Sequence, residues 1–253
     1  MSCRGYFLII IVIFSSCATL FHRENDYERG LKLYRDHQYG EAAGHFQAFH
    51  KQYPDHDSTL YYLFSCYKQL NRPEEQIVVL ETLARRGLDD KNIILNLIYY
   101  YRAYERYGKL YGLLLDLSSP MQEIVDEHLA LTRRVFAELI AGATTHSVKS
   151  DPMVYVTSKG YLPIFPDGQL RAEDTLSWSK LIVLLDRLMA PEYPKNFFPM
   201  KHISTESYLY LPSMRLVGSD IIRFDPYLMP EEPAPVSTAV KAIGWYAERG
   251  RFD

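Results

Sequence analysis

The chain is poor in cysteine, with only Cys3, Cys17 and Cys66 in 253 residues, and two of the three fall within the first seventeen positions. That count excludes the disulfide-dense class of small secreted domains, so stability has to come from packing. Charge of one sign is also missing. Twenty-eight Lys and Arg against 31 Asp and Glu give a formal net charge of -3, too balanced for a dedicated nucleic-acid binder or a disordered tail. Catalytic signatures are equally scarce. None of the eight histidines forms a helix-spaced pair with a general base, and the nearest ligand-like cluster, Asp55-His56-Asp57, reads as a turn. There is no glycine-rich phosphate loop after a strand and no Gly-x-Ser-x-Gly elbow. These absences set the expectation of a non-enzymatic chain without cofactor or metal, acting on a partner other than nucleic acid.

What is present begins with an address. Arg4 precedes an apolar stretch from Phe7 to Phe14, followed by Ser15-Ser16-Cys17. A charged start, a short apolar run and small residues before a cleavage point form a secretory signal. Phe14-Ser15-Ser16-Cys17 resembles a lipobox, which implies cleavage after residue 16 and lipidation of Cys17. An uncleaved signal anchor is the alternative, because the uncharged stretch continues through Phe21. Both readings place the folded part in the cell envelope. Ala18 lacks the Asp that retains such lipoproteins in the inner membrane, so the outer membrane is favoured, with the protein facing the periplasm or the surface. Residues 1–16 are thus a signal peptide and 17–25 a tether.

A 34-residue period follows. The columns Leu33, Tyr67, Tyr101 and Phe46, Leu80, Leu114 and Phe49, Leu83, Leu117 are apolar and recur at helical spacing, whereas Ala42, Gln76, Leu110 is mixed. Each unit predicts two helices in an antiparallel hairpin, the first at 26–36 and 40–52. Gly30 and Ala42 are small where the helices must approach, and Tyr53-Pro54 closes the unit. These residues resemble the tetratricopeptide repeat, with units two and three (about 58–91 and 92–119) degenerate. In that family the inner face of each first helix binds peptides. The resemblance implies a partner-binding groove at Tyr27, Tyr34, Arg35, Tyr61, Lys68, Tyr99 and Arg102, for a protein or peptide in the envelope. Over residues 1–118 the plan is also similar to the repeat lipoprotein of the outer-membrane β-barrel assembly machinery. Ser119-Pro120-Met121-Gln122 reads as a helix start, and the helix is expected to run to Gly142 and cap the repeats.

Near 145–150 the period is lost and proline becomes frequent. Gly160 to Leu170 predicts a loop with Asp167-Gly168 at its tip, leading into an amphipathic helix from Ser177 to Met189. A weaker copy runs from Leu216 through Ser237 to Tyr246, with Ser177 and Ser237 expected as helix caps. Over 150–253 this resembles degenerate S-layer homology domains, helix-loop-helix units that bind cell-wall glycan. Their Thr-Arg helix start, which supplies the glycan-contacting arginine, is replaced here by Ser177-Trp178 and Ser237-Thr238. The resemblance leaves Asp167, Trp178 and Lys180 as candidate glycan contacts. The expected fold is therefore mainly α: an α-α superhelix of hairpins over 26–145, then a small helix-loop-helix module. Function is expected to be scaffold binding through the groove, or alternatively glycan binding by the C-terminal module.

Overall fold

The computed structural model describes residues 25–87, 90–144, 148–250 and 252. The signal segment, Cys17 and the tether up to residue 24 lie outside them. The chain is mainly helical, with twelve helices and, among the described residues, no β-strand beyond two isolated bridges. None of these helices is long and apolar enough to cross a membrane. Contacts divide the chain into two compact units, residues 1–88 and 89–253.

The first unit contains α1 (Asp26–Arg35), α2 (Tyr39–Gln52), α3 (Asp57–Gln69) and α4 (Pro73–Arg85), each packed on the next. Asn25 and Glu28 form a capping box that satisfies the exposed amides at the start of α1. Gly30 is buried at the α1–α2 crossing, where an added Cβ would stand 2.7 Å from the Phe46 ring. Any side chain there would force the helices apart.

The second unit opens with another hairpin, α5 (Lys91–Ala103) and α6 (Tyr107–Leu115). The 34-residue period is written into the backbone of all three turns. His37, Asn71 and Glu105 each take a positive φ of 59°, 52° and 54°. The following amides, Gln38, Arg72 and Arg106, each donate back to the carbonyl of the same apolar column, Leu33, Tyr67 and Tyr101. This closes each helix end by the left-handed geometry that satisfies its last carbonyls.

Beyond α6 the expected single helix from 119 to 142 is two helices, α7 (Ser119–His128) and α8 (Arg133–Ala143). The break at 129–132 is held by tertiary partners: Leu131 O accepts from Leu176 N, and Thr132 caps α8 through Val135 N. Gly142 does not stop the helix as expected. It sits inside α8 where the helix meets α6, and an added Cβ would lie against the Tyr107 carbonyl and 2.8 Å from Tyr111 Cβ.

The remaining helices are α9 (Pro152–Ser158), α10 (Trp178–Met189), α11 (Tyr210–Gly218) and α12 (Val236–Ala247). Together with α7 and α8 they form three helix-loop-helix copies. The second helix of each copy packs on the first helix of the next: α8 on α9, α10 on α11, and α12 on α7, which closes a ring. The α5–α6 hairpin packs against this ring, α6 on α8 and α12 and α5 on α7. The division between units therefore falls at 88/89 rather than near 145–150.

A relay of helix starts ties the ring together. The first amides of a helix have no partner within it. Arg133 N and Arg134 N at the start of α8 donate to Asp174 O and Ala172 O in the second copy's loop. Trp178 N and Ser179 N at the start of α10 donate to Glu232 O and Pro230 O in the third copy's loop. The first copy has only the short turn at 129–132, so a side chain replaces its missing loop. Asp126 on α7 accepts from Ser237 N at 2.8 Å and from Ser237 Oγ at 2.5 Å at the start of α12. This corrects the expected serine caps. Ser237 lies inside the helix after N-cap Pro235, and Ser177, although the N-cap of α10, pairs with Ser179 Oγ instead of a backbone amide.

Candidate functional site

The groove residues expected from the repeat have unequal fates. Tyr27 lies against Phe46, Phe49, His56 and Tyr62, with ring centroids 4.8 to 6.1 Å apart, and burial raises its pKa. Tyr34 lies between Tyr39 and Tyr62, at 5.5 and 5.3 Å. Both are packing residues around Tyr62, which itself stacks on Phe46. Tyr61, Arg35 and Lys68 are at the surface of the first unit, Tyr61 with 41% of its area exposed. Tyr99 and Arg102 belong to α5 in the second unit. Tyr99 is exposed beside Tyr100. Arg102 is committed to the fold, donating through Nε to the buried Glu138 carboxylate at 2.6 Å. Cys66 is fully buried on α3, and burial pushes its thiol up to about 11, far from a thiolate nucleophile.

The second unit contains a cavity of about 370 Å³ between the start of α8, the loop at 162–165 and one face of α10. Its walls are apolar, from Leu162, Pro163, Phe165, Leu176, Val183 and Leu184, and three cations line it: Arg133, Lys180 and Arg187. Asp174 is the single acid in that lining.

Arg133 is the centre of this arrangement. The residue is 5% exposed, and its guanidinium donates through Nε to Leu170 O at 2.9 Å and through Nη2 to Pro163 O at 2.5 Å. Its Cζ stands 4.7 Å from the Phe165 ring centroid, and Arg171 Cζ stands 4.1 Å from the same ring. Among the described residues Arg133 forms no ion pair. Burial lowers its pKa, Asp174 opposes that shift and Arg171 adds to it. Two carbonyl dipoles and the Phe165 ring solvate this buried cation, which leaves its charge stabilised without a direct carboxylate contact. Among the described residues Lys180 and Arg187 likewise hydrogen-bond to carbonyls alone, Thr175 O at 3.4 Å and Gly160 O at 3.1 Å.

Of the candidate glycan contacts, Lys180 lines this cavity and Trp178, half-buried, does not. Asp167 acts one step away. It accepts from Gln169 N at 3.0 Å and from Arg171 Nη2 at 2.6 Å, and these two bonds lower its pKa. The carboxylate thus fixes Arg171 over Phe165. Arg133 lies outside the residues expected from sequence. The Thr-Arg pair absent at 177 and 237 stands at Thr132-Arg133, at the start of α8, inside the apolar run whose spacing predicts one capping helix. No group of His, Cys, Asp and Glu suited to hold a metal occurs among the described residues. No protein-family model, curated protein or solved structure matches the chain.

Proposed function

We propose that this chain is a non-catalytic cell-envelope protein, tethered by lipid at Cys17, whose second unit binds an acidic envelope glycan at the Arg133 cavity. One observation carries the reading: a buried guanidinium that has no carboxylate ion pair among the described residues, at the wall of an apolar cavity edged by two further cations. Such a cavity suits a ligand that presents one acidic group and an apolar sugar face. The Thr132-Arg133 start of α8 supports it further, since this is the element that S-layer homology domains use. Under this reading the tetratricopeptide-like hairpins serve as a stalk.

The test is co-sedimentation of the purified protein with envelope sacculi that carry acidic polysaccharide, beside sacculi stripped of it. Retention on the first preparation alone supports the reading, and equal retention on both, or on neither, rejects it. Arg133→Ala should weaken retention about tenfold or more, the scale of a lost charge-assisted contact. Lys180→Ala at the exposed rim should weaken it less, and far-ultraviolet circular dichroism of Arg133→Ala provides the control for folding. Fatty-acid labelling that disappears in Cys17→Ala tests the anchor.

A second reading, a peptide-binding scaffold, is favoured by Tyr61, Arg35 and Lys68, which stay at the surface of the first unit. Photo-crosslinking from position 61 should capture a protein if that surface binds one.

A further inference from the structure

The second unit has another cavity, of about 530 Å³, beyond the opposite end of α10. Its walls are the connector at 190–198, the end of α11 at Val217, Gly218 and Ser219, and Trp245 and Arg249 at the end of α12. It shares no lining residue with the Arg133 cavity.

The connector wall is built rather than loose. Ala190 ends α10 in the left-handed region, and Pro191 and Pro194 restrict the chain that follows. Tyr210 stacks on Phe197 and donates its hydroxyl to Phe198 O at 3.1 Å, and Phe198 packs on Phe224 at 5.1 Å. A wall held this way loses little entropy on binding.

The chemistry of the lining is mixed. Tyr193, Phe198 and Trp245 supply aromatic surface, and Tyr193 keeps 70% of its area exposed. Glu192, Lys195, Asn196 and Ser219 supply donors and acceptors, and among the described residues none of these four side chains has an intramolecular hydrogen bond or ion pair. This contrasts with surface charges elsewhere in the unit. Arg134 is held by Asp151 and Glu173, and Arg171 by Asp167. Glu192 and Lys195 oppose one another in sign, and Arg249 is folded over the Trp245 ring at 3.7 Å while donating to Trp245 O.

We propose that this cavity binds a neutral saccharide. A sugar ring presents an apolar C–H face to an aromatic wall and a hydroxyl edge to mixed donors and acceptors, with no charge to be matched. The volume lies within the range of small-ligand sites, about 300 to 1,000 Å³. This site stands independently of the acidic-glycan reading.

The chain has only two tryptophans, Trp178 and Trp245. In a Trp178→Phe protein the emission comes from the cavity wall alone. Titration with the neutral tetramer of N-acetylglucosamine should give a saturable change in that emission. In Asn196→Ala and in Tyr193→Ala, both with unchanged far-ultraviolet circular dichroism, the apparent affinity should fall about tenfold, the scale of one lost contact. Excess acidic polysaccharide released from the sacculi should leave the titration unchanged, which separates this site from the first. No saturable change at millimolar sugar overturns the proposal, as does a change indifferent to both wall variants or abolished by the acidic polysaccharide.

Discussion

The two units bury their helices by opposite strategies. In the first, each helix packs on its neighbour in sequence, and the turns after α1 and α3 are closed by bonds spanning a few residues, while Arg86 reaches back to the Pro54 carbonyl in the turn between α2 and α3. In the second, helix starts are completed by groups far along the chain, such as Asp126 for Ser237 and Asp174 O for Arg133 N. Local closure needs only the right residues in the turn. Distant closure needs the whole ring assembled, because the starts of α8, α10 and α12 are each satisfied by another copy. The loop recruited for the start of α8 also forms part of the wall of the Arg133 cavity, through Asp174 and Thr175, so the contacts that stabilise the unit shape that cavity.

Because both tryptophans lie in the second unit, tryptophan emission follows that unit, whereas circular dichroism follows both. The largest effect is expected from Gly142→Ala, which puts a methyl group against the α6 backbone and should destabilise by about 3 kcal/mol. Its tryptophan-detected denaturation midpoint should fall sharply. Gly30→Ala meets only the Phe46 ring and should shift the circular dichroism transition while sparing the tryptophan one. Equal movement of the tryptophan transition by Gly30→Ala would break the division into units.

A smaller loss is expected from Arg102→Ala. It leaves Glu138, 5% exposed on α8, without its partner. A fully buried pair broken on one side costs about 3–5 kcal/mol, and the partly exposed guanidinium brings the expected loss to about 2 kcal/mol. Replacing both residues by Met should recover much of it, by the same tryptophan-detected denaturation. If Arg102→Ala instead costs nothing, the arginine is free for a ligand and the groove regains a member.

The smallest effect sharpens the account of the relay. Asp126→Ala removes the substitute for the first copy's missing loop and should cost about 1 kcal/mol, as for loss of a helix cap. Asp126→Asn, which keeps one acceptor oxygen, should cost less. Hydrogen exchange should accelerate at the start of α12 and leave the start of α10 unchanged.

Much of the helical pattern was legible because hairpins are local. The Leu33, Tyr67 and Tyr101 columns mark the carbonyls that close the turns, and the same spacing places a left-handed residue at 37, 71 and 105. The ring was not legible in the same way. Leu129 and Leu131 continue the apolar spacing of α7, with no Gly or Pro to mark a break. The break is set by Leu176 pairing with Leu131 across the ring. Thr132 ahead of Val135 was a readable cap signal, outweighed by periodicity. Tyr27 and Tyr34 show a related ambiguity: tyrosine suits both a surface and an interhelical contact, and only the position of Tyr62 shows that these two also pack.

By itself the sequence determined a mainly helical chain with hairpins at 34-residue spacing and an apolar N-terminal run ending at a cysteine. Those features depend on periodicity and on residue type, which short stretches carry in full. The tertiary structure decided where the units divide, which tyrosines pack, and that Arg133 stands buried at a cavity, with no ion pair among the described residues. Charge pairing and cavity shape arise from residues distant along the chain, so no local pattern contains them.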